Sequence, residues 1–112
     1  MAGKDALPPE RIEEALAGLP DWRAGNGGLA TVFKLPTAAA ALELIAAVGR
    51  LAEEQNHHPD LDWRYNRVFI RYTSHDAGGQ VTGRDIAAAA GASEAAAASG
   101  AVAEPEKYVP RR

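Results

Sequence analysis

The chain has 112 residues, a length typical of one domain, and it contains no cysteine, which excludes disulfides and thiolate metal sites. Its formal net charge is -3, with acidic and basic residues interspersed, so it lacks the basic stripe of a nucleic-acid-binding protein. It shows no apolar signal segment and no run of about 20 apolar residues, so we expect a cytoplasmic protein with no nucleic-acid and no membrane partner.

Proline and glycine mark the first helix and the first hairpin. Pro8 and Pro9 suit the first turn of a helix, where a missing N–H is tolerated, and Gly18 and Pro20 should end that helix. The run GNGG at residues 25–28 is a strong turn signal, and the segments on either side of it predict two antiparallel strands.

The clearest helix begins after Thr37, which can cap it, and should end near His57, because Pro59 disfavours helical geometry at the residue before it. Its apolar residues recur at the three- and four-residue spacing of one buried face. A close packing neighbour is expected at Gly49, because glycine inside a helix is less favourable than alanine by about 1 kcal/mol. The residues predicted for the buried face are Ala38, Ala41, Leu42, Ile45, Val48, Gly49 and Ala52.

The second half of the chain predicts another hairpin and a last helix. Apolar and polar side chains alternate over residues 61–73, as they do in two half-buried strands, and Thr82 and Asp85 have the spacing of a capping box. Residues 1–97 are therefore predicted to form one α+β domain of the order α-β-β-α-β-β-α, with the helices on one face of a four-stranded antiparallel sheet. Residues 98–112 are small, polar and proline-bearing, and we expect a flexible tail there.

Two of the three histidines, His57 and His58, stand side by side in the run EEQNHHP, where a helix is expected to end. The third, His75, follows the second hairpin and precedes a glycine-rich loop. Element ends and loops are where sites are usually assembled, and imidazole is the side chain whose unperturbed pKa lies near neutrality. The three histidines are therefore candidates for general acid and base catalysis, and Glu53, one helical turn before His57, could orient an imidazole.

A structural role and a metal-binding role for the histidines also stay open from the residues alone. A histidine close to a helix C-terminus can simply satisfy free backbone carbonyls. Three histidines can also hold zinc with an open fourth position, but adjacent histidines rarely serve one metal and the HExxH spacing is absent, so no metal site is predicted. Trp22, which follows the end of the first helix, could belong to the core or could line a pocket.

A set of motifs spans about residues 8–90, and the combination is far more specific than any of its parts. It begins with the run IEEALAGLPDW, which ends in Trp22. The other motifs are Glu53, His57-His58-Pro59, Tyr65-Asn66, Thr73-Ser74-His75, Gly78-Gly79 and the helix start from Thr82 to Asp85. Together they resemble the signature of the pterin-4a-carbinolamine dehydratase family, whose first helix and following tryptophan are similar to the upstream run.

The resemblance implies the family's fold, which has the same order of elements, and its reaction, the loss of water from 4a-hydroxytetrahydropterin to give quinonoid dihydropterin. It implies that His57 and His75 are general acids at the 4a-hydroxyl and that His58 contacts the pterin and acts as the base. No metal and no cofactor is implied, because the substrate is itself the pterin. The residues with a supporting or substrate-binding role would be Glu53, Pro59, Asp85 and Trp22.

The same resemblance implies partners for the chain. It links the chain to an aromatic amino acid hydroxylase, whose tetrahydropterin the reaction would recycle, and it implies a homodimer or homotetramer. The alternative function is a non-catalytic binding module, because the family fold also serves as the dimerisation partner of a transcription factor and, in degenerate members, as an assembly chaperone of the carbon-fixing carboxylase. All three histidines are present, which favours the enzyme, since degenerate members lose active-site residues.

Overall fold

Three helices pack against an antiparallel sheet in the computed structural model, which describes residues 5–109. The sheet has the strand order β1-β2-β4-β3, and a short fifth strand pairs with β2. The predicted α+β fold and order of elements are confirmed. Within residues 5–109, no helix combines the length and apolar character that a membrane span requires. The elements are α1 (Pro9–Ala17), β1 (Arg23–Gly25), β2 (Gly28–Lys34), α2 (Ala38–Gln55), β3 (Asp60–Arg64), β4 (Arg67–Tyr72), α3 (Gly83–Ala98) and β5 (Val102–Ala103).

The core lies between one face of the sheet and the helices. Strands β2 and β4 pair Leu29 with Tyr72 and Phe33 with Val68, so these four side chains share the face that the helices cover. Helix α3 buries only alanine methyl groups among its apolar side chains on this face, with Ile86 packed at the margin, which allows its backbone to come close to the sheet. The alanines that α3 buries there are Ala88, Ala89, Ala92 and Ala96.

The buried face of α2 differs from the prediction at two positions. Leu44 is fully buried, whereas Leu42 is 51% exposed. A Cβ placed on Gly49 would have no heavy atom within 4 Å, so the expected packing neighbour is absent. Two apolar stripes with nearly the same spacing overlap on this helix. Periodicity does not distinguish them, and the position of the sheet selects the one that contains Leu44.

The segment after residue 97 folds back on the sheet instead of extending from the domain as a tail. Strand β5 pairs Ala103 with Phe33 of β2, and the backbone N–H of Glu104 donates to the carbonyl of Val32 at 2.7 Å. The sheet thus has five strands instead of the predicted four. The prediction missed the fifth because two residues carry no periodic pattern and their partner lies far earlier in the chain. Residues 110–112 of the predicted tail and residues 1–4 of the predicted domain lie outside the described residues.

This C-terminal segment covers the face of the sheet that carries no helix. Val32 and Phe69 are paired on that face and are 0% and 7% exposed, and the ring of Tyr108 lies 6.3 Å from the ring of Phe69. An ion pair anchors the segment, because Arg67 Nε donates to Glu104 Oε1 at 2.9 Å. The hydrogen bond from Arg67 lowers the pKa of Glu104, and desolvation of the carboxylate opposes this effect less strongly.

We expect the variant Glu104→Gln to be less stable than the wild type near neutral pH, by about 1 kcal/mol at most, because the pair is partly exposed. The pKa of Glu104 is lower in the folded state, so the pair stabilises the protein above the unfolded-state pKa, and this contribution disappears as the pH falls through the folded-state pKa. Urea unfolding of both proteins over that pH range measures the difference.

The control is Glu106→Gln, which changes an exposed carboxylate in the same turn. The ion pair would not be the cause if the lower stability of Glu104→Gln persisted at the acid end of the range. The same conclusion would follow if Glu106→Gln lowered the stability equally.

Candidate active site

Three element ends meet around the histidines. Helix α2 is capped at its C-terminus by Asn56, which adopts a left-handed conformation with φ 53°, and the N–H of His57 donates back to the carbonyl of Ala52 at 3.1 Å. This turn redirects the chain directly before the histidine pair. His75 begins a short 3-10 turn shortly after strand β4, and α3 starts a few residues later. The local structure therefore delivers all three histidines to one end of the sheet.

A cavity of about 450 Å³ opens between these element ends. Its volume is within the range of about 300–1,000 Å³ that small-molecule sites occupy. The three predicted histidines all line it, together with polar side chains from α2, from the loop after β4 and from the first turn of α3. The lining residues are Gln55, Asn56, His57, His58, Thr73, His75, Asp76 and Arg84.

The carboxylate of Asp85 is fully buried and holds the imidazole of His57. The distance from His57 Nε2 to Asp85 Oδ1 is 2.6 Å. A carboxylate can only accept hydrogen bonds, so Nε2 carries a proton and Nδ1 is the atom left for proton exchange. Asp85 also closes the predicted capping box, because its Oδ2 accepts from the backbone N–H of Thr82 at 2.8 Å. One side chain thus begins α3 and orients His57.

An aromatic stack supports the imidazole of His57 from the core side. The ring of Tyr72 lies parallel to it, with 6.0 Å between centroids and 12° between planes. Burial raises the pKa of Tyr72 to about 12, so this ring stays a neutral phenol at physiological pH. Trp22 lies behind Tyr72, is 2% exposed, and donates from Nε1 to Ser93 Oγ at 2.7 Å. Trp22 therefore belongs to the core, one of the two positions that the sequence left open, and it is not among the residues that line the cavity.

A second carboxylate contacts the second histidine. Glu53 Oε2 lies 2.6 Å from His58 Nε2, and both side chains are exposed. Glu53 thus orients His58. His57, which lies one helical turn after Glu53 and was the expected partner, pairs with Asp85 instead. Both imidazoles contact carboxylates, and neither contact is the carbonyl capping considered from the sequence. Pro59 is half-buried and leads directly into β3.

The loop that carries His75 is held by the first hairpin turn. Thr73 Oγ1 donates to the carbonyl of Gly27 at 2.6 Å, and a Cβ built on Gly27 would lie 1.9 Å from the carbonyl oxygen of Gly79. His75 itself is exposed in the cavity wall. Among the described residues, no three His, Asp or Glu side chains are arranged so that they could hold a metal ion.

The family model described as pterin 4 alpha carbinolamine dehydratase matches residues 5–95. The chain belongs to this family. Its C-terminal segment with β5 lies beyond the matched part, whereas every predicted site residue lies within it.

Relatives with a pterin-4-alpha-carbinolamine dehydratase name cover most of the chain. One from Chloroflexus aurantiacus is 44% identical over 88 residues, which are 79% of this chain and 94% of the relative. One from Streptomyces coelicolor is 36% identical over 97 residues, which are 87% of this chain and 96% of the relative. A crystal structure from Brucella melitensis, named transcriptional coactivator/pterin dehydratase, matches with a TM-score of 0.77 and 29% identity over 81% of this chain and 98% of that one.

The sequence did not mark several residues of this site as functional. Arg84 and Asp76 form an ion pair of 2.7 Å at the cavity wall, which links the loop of His75 to α3. Arg84 falls between the two residues of the capping box, and that position is the one feature of the sequence that could have placed it near the site. Nothing in the sequence pattern separated Tyr72 from the other residues of a half-buried strand, because its stacking on His57 depends on where α2 ends.

We expect Gly27→Ala to be destabilising and to displace the loop of His75. The φ of +78° disfavours alanine by about 1–2 kcal/mol, and the added methyl group would also collide with the backbone of Gly79. Urea unfolding measures the loss. The control is Gly25→Ala in β1, where a Cβ meets no heavy atom within 4 Å. Equal stabilities of the two variants would contradict this role of the turn.

Proposed function

We propose that the chain catalyses the dehydration of 4a-hydroxytetrahydropterin to quinonoid dihydropterin. The observation that carries the proposal is the set of three histidines around one cavity, two of them with Nε2 against a carboxylate. Membership of the pterin carbinolamine dehydratase family supports the same reaction class.

The reaction needs two proton transfers and no change of oxidation state. An acid protonates the 4a-hydroxyl, and the bond from C4a to that oxygen breaks as water leaves. The electron pair of the neighbouring ring nitrogen forms the new double bond, and a base then removes a ring-nitrogen proton. The protons therefore balance, since the acid gives one and the base takes one. Histidine suits both tasks, because one imidazole nitrogen can donate while the other accepts.

The division of roles among the histidines is the one that the family resemblance implies. His57 and His75 are proposed as the general acids at the 4a-hydroxyl, and His58 as the base that contacts the pterin. Because Asp85 occupies Nε2 of His57, the proton that His57 transfers is the one on Nδ1. Asp85 balances the positive charge that the acid form of His57 carries, and Glu53 acts in the same way on the exposed His58.

Other supporting roles follow from position. Pro59 fixes the path of the chain after His58, and Trp22 acts from the core through Tyr72 and not by touching the substrate. We propose that the reaction requires no metal and no cofactor beyond the pterin itself. General acid and base help of this kind accelerates a reaction by about 10²- to 10⁴-fold.

The proposed setting is the recycling of the tetrahydropterin that an aromatic amino acid hydroxylase uses. A cytoplasmic homodimer or homotetramer is proposed with it. The recycling role and the oligomer are what the family resemblance implies, and the cytoplasmic location is the expectation from the sequence.

We expect the double variant His57→Ala/His75→Ala to lose the acceleration, by about 10²- to 10⁴-fold, because both general acids are removed. The assay adds the protein to an aromatic amino acid hydroxylase that turns over tetrahydropterin and follows the ultraviolet decay of the 4a-hydroxy intermediate. Circular dichroism checks that the variant is folded.

The matched control is Glu54→Ala, which removes an exposed side chain of α2 outside the cavity lining. Full activity of the double variant would remove His57 and His75 from the mechanism.

A binding function is the second candidate, because the similar Brucella melitensis protein is named both as a transcriptional coactivator and as a pterin dehydratase. Under this alternative the chain acts as a dimerisation partner or an assembly chaperone and catalyses nothing. Pull-down of a stoichiometric protein partner, together with no acceleration of the dehydration by folded wild-type protein, would favour it over the enzyme.

A further inference from the structure

We propose that Ser74 is a positioning residue that holds His57 and His75 in one fixed arrangement. The expected effect on the reaction rate rests on the proposed function. The expected effect on the orientation of the His57 imidazole does not. Ser74 stands between two residues of the cavity wall, Thr73 and His75, but its own side chain is completely buried and touches no part of the cavity.

The hydroxyl of Ser74 lies between α3 and the end of β4. Its Oγ is 2.8 Å from Asp85 Oδ2 and 2.8 Å from Thr82 Oγ1. A buried hydroxyl without partners is unfavourable, so both contacts stabilise its position. Asp85 therefore receives three donors: His57 Nε2 on one oxygen, and the Ser74 hydroxyl with the Thr82 N–H on the other.

The direction of each hydrogen bond in this network follows from chemistry. Asp85 can only accept, so Ser74 must give it its single hydroxyl hydrogen, and the hydroxyl of Thr82 must then donate to Ser74. Thr82 Oγ1 in turn accepts from the backbone N–H of Arg84 at 3.2 Å. The chain of donors runs from α3 through Thr82 and Ser74 to Asp85. Both oxygens of the carboxylate are thereby occupied, so its plane is fixed and His57 is held with its proton on Nε2.

The backbone of Ser74 holds the other histidine. Its N–H donates to the carbonyl of Gln80 at 3.1 Å, and its carbonyl accepts from Ala77 at 3.1 Å and from Gly79 at 3.0 Å. The loop that begins with His75 therefore closes on Ser74. The same residue sets where this loop leaves β4 and, through Asp85, how His57 is turned.

Removal of the hydroxyl leaves the Oδ2 of Asp85 with one donor, the N–H of Thr82, and takes away the acceptor of the Thr82 hydroxyl, so the carboxylate is held less firmly. The imidazole of His57 then loses its fixed orientation while the fold and the cavity stay in place. Misplacement of a reacting group by about 1 Å can lower a rate by about 10²-fold. We expect a kcat that is lower by about tenfold to a hundredfold in Ser74→Ala. We expect KM to be nearly unchanged, because Ser74 does not line the cavity.

The test compares Ser74→Ala with Ser74→Thr, which keeps the hydroxyl, and with the control Ser99→Ala. Ser99 also donates from a partly buried hydroxyl, but at the far end of α3 to Ala95. Nitrogen and proton NMR of the histidine rings reports the tautomer of His57 and the solvent exchange of its Nε2–H. If Ser74→Ala does not fold, Ser74→Cys fills nearly the same space with a weaker donor.

The proposal expects the Nε2–H of His57 to exchange about tenfold faster in Ser74→Ala, a scale set by the loss of one hydrogen bond to a charged group. Ser74→Thr should restore the wild-type signal, and Ser99→Ala should leave it unaltered. An unaltered Nε2–H in a folded Ser74→Ala or Ser74→Cys overturns the positioning role, whatever the activity. If that signal changes but wild-type protein accelerates no dehydration, the positioning role stands and the proposed reaction fails.

Discussion

The buried carboxylate of Asp85 is the constraint on which the rest of the site depends. A negative charge removed completely from water is strongly unfavourable unless hydrogen-bond donors surround it. The three donors to Asp85 come from three separate places: the residue just after α2, the residue just before His75 and the cap of α3. The carboxylate can be satisfied only if these places converge, so forming the fold and assembling the candidate active site are one event.

These three places can come together because the helices and turns around the site contact each other through small side chains. Helix α3 buries alanines against the sheet, and two glycine-containing turns meet where a single methyl group would collide with a backbone carbonyl. Larger side chains at these contacts would move α3 or the loop of His75 outward, and the distance from Asp85 to His57 would grow with them. The low content of large apolar residues in α3 is thus compatible with precise placement at its N-terminus.

The two faces of the sheet are covered by different parts of the chain. The face under the helices belongs to the part that the family model matches, and it carries the aromatic stack that supports His57. The opposite face is covered by a segment beyond the matched part, which pairs with β2 and is anchored by Arg67 and Glu104. Without that segment Val32 and Phe69 would lie open, and the end of β2 would present an unpaired edge.

The sequence by itself determined the helices, the hairpins and their order, because caps, glycine turns and apolar periodicity are local signals. It also singled out the three histidines, which are a rare residue type at element ends, whereas Asp85 could be read only as part of a capping box until the family resemblance added it to the site. Only the tertiary structure decided which carboxylate serves which histidine, which stripe of α2 is buried, that Trp22 lies in the core and that the last segment adds a strand. Each of these depends on contacts between residues far apart in the chain, and local periodicity carries no information about such contacts.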